Sequence, residues 1–467
     1  MNILALDLGT SSVRGLVLDA DADPRPGALA RRKVHVNIGD RGSGTLDPAQ
    51  YLACLVECLD ELAAAGHLRD VRLVAVSAQW HSVLPLDHAG APLGPVLTWL
   101  DTRVAPAPGT AGPADPDAYH ERTGGWWHRG YWPLRLPWLR ARCGSQVARF
   151  VGLAEYVLGH LLDTAPMSVS MASGTGLLDL RTLTWDGEAC ELAGVRPGEL
   201  PELAPPGWNG RLRAEHAGRW PQLAGVAWAV PVGDGAASNV GSGCVDGRRA
   251  AVTVGTSAAV RLLHRLPAGE PLPPLPEQLW RYRVDHEYVV TGAAYSSGGN
   301  LYTWAKRELR LPESSELHAA LARVPPDGGE VTADPRLGGD RPPGFAPAGA
   351  GELRGLSFST SGVEILAGLM AGLCRMVADD LAVLESTVET PMEVVLGGGA
   401  MAASAWWRSA FATALAPRPV RHRAEPEIGA IGAALVALGR VAEAGRLAMT
   451  DPPDDEGRAP ERSGAAS

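Results

Sequence analysis

Lysine is almost absent from this chain of 467 residues: only Lys33 and Lys306 occur, and arginine supplies the rest of the 42 basic residues. Any phosphate chemistry would have to manage almost without lysine. Neither lysine lies in a glycine-rich turn, so a GxxxxGK[ST] phosphate loop is missing. No GxGxxG follows the first apolar run either, which leaves a dinucleotide fingerprint unsupported. The six cysteines, Cys54, Cys58, Cys143, Cys190, Cys244 and Cys374, form neither CxxC pairs nor a compact framework. Reduced thiols are expected, and no His/Cys cluster has metal-ligand spacing. The start lacks a basic segment followed by a cleavable apolar stretch, and no run of about 18 apolar residues occurs, so the chain reads as soluble and cytoplasmic. A net charge of -10 argues against a nucleic-acid or anionic-membrane surface. The expected partner is a small molecule.

What is present fits a large α/β protein. The length, with 46% apolar residues, suffices for two or three domains with sizeable cores. An apolar run over 2–8 containing Asp7 leads into Gly9-Thr10-Ser11-Ser12 and a second run over 13–18, a hairpin with a small-residue turn. The pattern recurs at 251–263, where Gly255-Thr256-Ser257 forms the turn and Val260-Arg261 echoes Val13-Arg14. Thr253 stands where the first copy has Asp7. Such a repeat implies two similar domains whose phosphate-sized turns face each other across a cleft. Helices are expected at 48–65, 154–162, 298–309 and 361–388, and strands at 73–77, 227–232 and 392–396, the last running into Gly397-Gly398-Gly399. The natural division falls near Gly243, giving units 1–243 and 244–450. The Pro/Gly-rich stretch 325–351 reads as loops and 451–467 as a disordered polar tail.

Several stretches could carry chemistry. The Asp7 to Ser12 turn is either an ordinary hairpin turn or a phosphate cradle with an acid placed to hold Mg²⁺, and its repetition favours the cradle. Asp234, within Val232-Gly233-Asp234-Gly235, is either a turn residue or a proton acceptor at a strand end. Gln79-Trp80-His81-Ser82 and Trp99-Leu100-Asp101-Thr102-Arg103 suit a sugar: the indoles of Trp80 and Trp99 for C–H faces, Gln79, His81 and Asp101 for hydroxyls. The plainer reading makes His81 a structural histidine and Asp101-Arg103 a surface pair. Trp126-Trp127-His128-Arg129 is either a substrate lip or a packed aromatic corner.

Together these motifs resemble the FGGY family of carbohydrate kinases. The resemblance runs from Asn2 to about Gly439 and includes Gly174-Thr175-Gly176-Leu177-Leu178-Asp179-Leu180, Trp185-Asp186 and Gly397-Gly398-Gly399-Ala400 in the family's order. It implies two ribonuclease-H-like α/β domains of the actin/hexokinase ATPase type flanking a central cleft, with ATP and Mg²⁺ as cofactors. By resemblance Asp234 is the catalytic base and Asp7 the metal-positioning acid. Thr10, Ser11, Ser12, Gly255 and Thr256 surround the phosphates, while Gly298, Gly299, Gly398, Gly399 and Ala403 hold adenosine. Gln79, Trp80, His81 and Trp99 join Asp234 on the sugar side.

The phrases around His81 and Trp99 are more similar to gluconokinases than to xylulokinases, which implies D-gluconate as acceptor, with D-xylulose or another polyol next. An anionic acceptor needs a cationic pocket, for which His81, His128 and Arg129 are the candidates. Trp80 departs from the methionine usual in the family, and Gly339-Asp340-Arg341 from its Gly-Glu-Arg. A homodimer is a further expectation. A non-catalytic nucleotide-binding protein on the same scaffold would lack the base or the sugar loop, and an actin-like assembly ATPase would have no use for the latter.

Overall fold

The computed structural model describes residues 1–449 apart from 40–41, 106–110, 340–350, 389–391, 424 and 426. The tail, most of the second half of the 325–351 stretch, and Asp340-Arg341 therefore lie outside the described residues.

Strand β1 (Asn2–Leu8) is buried at every position but Asn2 and Asp7, as an apolar run covered on both faces should be. It pairs antiparallel with β2 (Ser12–Leu18), which sets Asp7 opposite Arg14. A third strand, β3 (Pro24–Lys33), was not evident from sequence; it lies at the sheet edge, where Pro24 and Pro26 cost no ladder hydrogen bond on the open side. Helix α1 (Pro48–Ala64) starts on the Asp47 cap and buries Tyr51, Leu55, Cys58, Leu59 and Leu62 on one stripe. Strand β4 (Val71–Ala78) runs parallel to β1. Helix α2 (Leu153–Leu161) follows, then the short β5 (Asn209–Gly210). The strand expected at 227–232 is split into β6 (Ala227–Ala229) and β7 (Val232–Gly233). Pro231, which has no N–H to donate, stands at the break. Helix α3 (Asp234–Gly241) starts directly from β7.

The second half repeats the plan. Strands β8 (Arg249–Val254), β9 (Ala258–Arg265), β10 (Trp280–Arg283) and β11 (Tyr288–Tyr295) precede helices α4 (Gly299–Glu308) and α5 (Gly362–Glu385), then β12 (Glu393–Gly397), β13 (Val420–His422) and α6 (Ile428–Ala437). Helix α5 opens on a capping box between Ser361 and Glu364 and buries most of its length.

The first sheet has the order β5-β6-β4-β1-β2-β3, with β7 also on β4; the second has β10-β11-β9-β8-β12-β13. In both, two parallel pairings are followed by two antiparallel ones: β6-β4-β1-β2-β3 corresponds to β13-β12-β8-β9-β11. The duplication read from the two turns is thus a duplication of sheets. Each sheet carries its own core, and Ala430, Ile431, Ala433, Ala434 and Leu435 of α6 join the first, although they come late in the chain. Helix α6 can lie on α3 because both contribute glycine at the crossing: a Cβ at Gly432 would sit 1.8 Å from the Ala237 carbonyl oxygen, and one at Gly241 1.8 Å from that of Ile428.

Candidate active site

The two Gly-Thr-Ser turns close in the same way, Gly9 N–H donating to Ser12 O (3.1 Å) and Gly255 N–H to Ser257 O (2.9 Å). Ser11 is exposed, whereas Ser12 is buried with its Oγ accepting from Arg14 Nε at 3.2 Å. The Ser12 hydroxyl is therefore a brace for Arg14, and its expected part as a phosphate ligand is withdrawn. Thr10 Oγ1 donates to Gln79 Oε1 (3.1 Å) and accepts from Trp99 Nε1 (3.0 Å). These bonds couple the first phosphate turn to both sugar-side phrases. Gln79 is only 1% exposed and is spent on this turn, so it positions the turn.

Asp7 and Asp234 flank the end of β4. In register, Ser77 of β4 lies between Asp7 and Val232, and Asp234 follows two residues after Val232. Burial pushes the Asp7 carboxyl up to about 6; Arg14, at 4.0 Å, opposes this, while Asp234 and Glu427 add to it. Arg14 is itself held by Glu427, at 3.0 Å, just ahead of α6. Asp234 Oδ1 accepts from the N–H of Gly235 at 2.8 Å.

Trp80 is seated by three glycines: a Cβ would come within 1.9 Å of its ring at Gly233, 2.5 Å at Gly174 and 2.7 Å at Gly235. Its Nε1 donates to Ser170 O, and its ring packs edge-on against Tyr282 and Trp280 of β10. At 6% exposure it is a wall between the two halves, and the expected open stacking face is not there. His81 has φ +67, uncommon for a side chain with a Cβ. Its Nδ1 lies 2.6 Å from Gly174 O, so that nitrogen carries the proton, and the ring meets Tyr131 and Tyr282 edge-on.

Asp101 is 1% exposed and gives its oxygens to Arg103 and to the Gly44 N–H, so it braces the Trp99 loop and is removed from the hydroxyl-binding set. Trp126 stacks on His120 at 5.1 Å and donates to Glu277 O, so this residue is a packed corner, while Trp127 and His128 are half-buried and Arg129 is exposed. Burial, with Arg129 and Arg135 nearby, drives His128 down to about 3, so it is neutral and no cation for a substrate. Arg135, missed in the sequence, is fully buried and spends its donors on the carbonyls of Arg129, His81 and Asp101. It carries no motif, and only the fold brings those three carbonyls to it.

On the second sheet a cavity of about 940 Å³ opens beside the Gly255-Thr256 turn. It is lined by Gly299, Gly399 and Ala403 as expected, and also by Asn300, Tyr302, Arg307, His318, Ser404 and Trp407, which sequence reasoning did not single out. Gly298 and Gly398, also expected there, are not among its lining residues. Gly398 has φ +95, and a Cβ there would sit 2.4 Å from Val254 O. Gly299 N–H donates to Gly255 O (2.7 Å), fixing the start of α4 against the turn. Small residues let a nucleotide approach the backbone closely.

Two duplicated sheets, each presenting a phosphate-sized turn, with a polar aromatic loop beside Asp234, describe a kinase of small carbohydrates. The chain belongs to the FGGY family of carbohydrate kinases: the family's N-terminal domain matches residues 2–241 and its C-terminal domain residues 250–439. Among curated relatives, the gluconokinase of Bacillus subtilis (strain 168) is 23% identical over 436 residues, covering 87% of this chain and 81% of the relative. The xylulose kinase of Streptomyces coelicolor is 28% identical over 461 residues, covering 94% of this chain and 87% of the relative. The crystal structure of gluconate kinase from Lactobacillus acidophilus superposes with a TM-score of 0.84 at 23% identity, over 97% of this chain and 92% of that one. The fold expectation holds, and the protein is a phosphotransferase acting on small-molecule sugars. Among the described residues no helix is long and apolar enough to cross a membrane.

Proposed function

We propose that this kinase transfers the γ-phosphoryl group of ATP to the terminal hydroxyl of D-gluconate, giving 6-phospho-D-gluconate, in the cytoplasm. The observation that carries the reading is the placement of Asp234 at the head of α3, beside the loop holding His81 and the Trp99–Thr10–Gln79 chain. Asp234 takes the proton of the acceptor hydroxyl as its oxygen bonds to the γ-phosphorus; the bond to the β–γ bridging oxygen breaks and ADP leaves. Backbone N–H groups of the two turns, with the Ser11 and Thr256 hydroxyls, hold the phosphates, the Thr10 hydroxyl bracing the first turn on Gln79 and Trp99, and the cavity beside Thr256 takes adenosine. Units 1–243 and 244–450 close on each other and exclude water from the transfer.

Asp7 is the residue that would hold Mg²⁺. The fit rests on its carboxyl, which burial and the neighbouring Asp234 keep at about 6 and which a cation would relieve. When bound, the ion neutralises charge on the phosphate oxygens. Gluconate is supported by the similarity of the His81 and Trp99 phrases to gluconokinases and by the gluconokinase relatives. A second reading, D-xylulose or another neutral polyol, is favoured by xylulose kinase relatives that match over 94% of the chain. An ADP-release assay with Mg-ATP over D-gluconate, D-xylulose, L-ribulose and glycerol separates them. Gluconate is expected to stimulate most, and stimulation by a neutral sugar alone overturns the gluconate reading.

A further inference from the structure

Arg261 lies on β9 of the second sheet, yet its side chain reaches the first half of the molecule. A Cβ built on Gly235, next to Asp234, would stand 3.0 Å from Arg261 Nε and 2.7 Å from the Trp80 ring. The path is opened by Gly292 of β11, paired with Arg261 on one side and with Trp280 on the other. A Cβ there would sit 3.2 Å from Arg261 Cγ. The guanidinium is thus directed into the aromatic wall beside Asp234.

Its hydrogen bonding is incomplete. Nη1 reaches Thr253 Oγ1 at the limiting distance of 3.5 Å, and Nε is buried without an acceptor. Burial lowers its affinity for the proton and the charge of Asp234 raises it. The two hairpins differ at this point. In the first copy Arg14 faces Asp7 and Glu427. In the second copy Thr253 takes the strand position of Asp7 and pairs with Ala259, while Arg261, paired with Ala251, lies diagonal to Thr253 and meets only its hydroxyl. Other basic groups around the site are spent: Arg135 on carbonyls, Arg103 on Asp101, and His128 is neutral.

We propose that Arg261 receives the carboxylate of the acceptor and so sets the preference for a sugar acid over a neutral sugar. Nε, buried without an acceptor, and a second N–H of the same guanidinium can form the two-donor fork that a carboxylate matches and scattered hydroxyls do not. The assignment rests on the gluconate reading. The sequence offered His81, His128 and Arg129 for this part; His81 spends Nδ1 on Gly174 O, His128 is neutral and Arg129 is exposed.

The test is Arg261→Gln, assayed for kcat and KM on D-gluconate and on the neutral acceptor that the unaltered enzyme uses best. The expected result is a rise in KM for gluconate with kcat/KM falling at least about 20-fold, in the range of one charge-assisted bidentate contact. Turnover of the neutral acceptor should stay within about threefold of the unaltered enzyme, and Arg261→Lys should recover part of the gluconate loss. Should Arg261→Gln fail to fold, Thr253→Asp gives the second copy the carboxylate of the first; it occupies Arg261 and should produce the same selective loss. An equal fall of kcat on both acceptors would assign Arg261 to Asp234 or to phosphoryl transfer and overturn the proposal, as would unchanged gluconate kinetics. If the unaltered enzyme prefers gluconate and the variant keeps that preference, the Arg261 assignment fails alone. If the unaltered enzyme ignores gluconate, the acceptor reading fails first and the assignment falls with it.

Discussion

Asp234 begins α3 immediately after β7, so its carboxylate is fixed by a strand end and a helix start rather than by a loose turn. Replacing it with asparagine keeps the shape and the bond to the Gly235 N–H while removing the proposed proton acceptor. Turnover of Asp234→Asn is expected to fall by about 10²–10⁴, with ATP affinity unchanged in a nucleotide titration; retained turnover would take Asp234 out of the mechanism. Asp7 makes a different prediction. Its folded value of about 6 lies above its ordinary 3.8, so between about pH 4 and 6 the folded protein holds a proton that the unfolded chain has released. Stability of the ligand-free protein therefore falls as pH rises through that window. Asp7→Asn should remove this slope and raise Tm at pH 7.5, by up to about 3 kcal/mol of stability. A lower Tm for that variant at neutral pH would show that the carboxylate is stabilised rather than strained.

At the scale of elements, the crossing of α3 and α6 ties the second half of the chain to the sheet that carries both aspartates. Gly432→Ala pushes a methyl onto the Ala237 carbonyl and should cost about 1–3 kcal/mol in urea denaturation. Gly218→Ala, in the short helix Ala214–Arg219 where a Cβ meets nothing within 4 Å, should be neutral or stabilising by up to about 1 kcal/mol. Equal effects at the two positions would mean that the crossing is not tight. The elements themselves were largely legible. The β1–β2 hairpin, α1, β4, α4, α5 and β12 fall where apolar periodicity and caps put them. β3 was hidden by its prolines, which an edge strand tolerates, and the single strand expected at 227–232 was divided at Pro231 because a residue without an N–H ends a ladder.

For the whole molecule, the His81 loop and Asp234 belong to the first sheet, while the Thr256 turn, the cavity beside it and Arg261 belong to the second. Two ligands that both favour closure should bind with positive coupling. A non-hydrolysable ATP analogue and D-gluconate together are expected to raise Tm by more than the sum of their separate shifts; strictly additive shifts would argue against closure. The sequence alone determined the duplication, the two phosphate turns, both aspartates and the family, because each is written in contiguous residues whose backbone and chemistry are local. Tertiary structure decided what those neighbours are spent on. Ser12 braces Arg14, Asp101 braces the Trp99 loop through Arg103 and the Gly44 N–H, Trp80 is walled in by Gly174, Gly233 and Gly235, and Arg261 reaches across to Gly235 beside Asp234. The partners in the last three of these groupings come from chain segments far apart, or depend on burial that spacing does not reveal. Whether a polar group faces a substrate or a carbonyl is settled only when the fold fills the space around it.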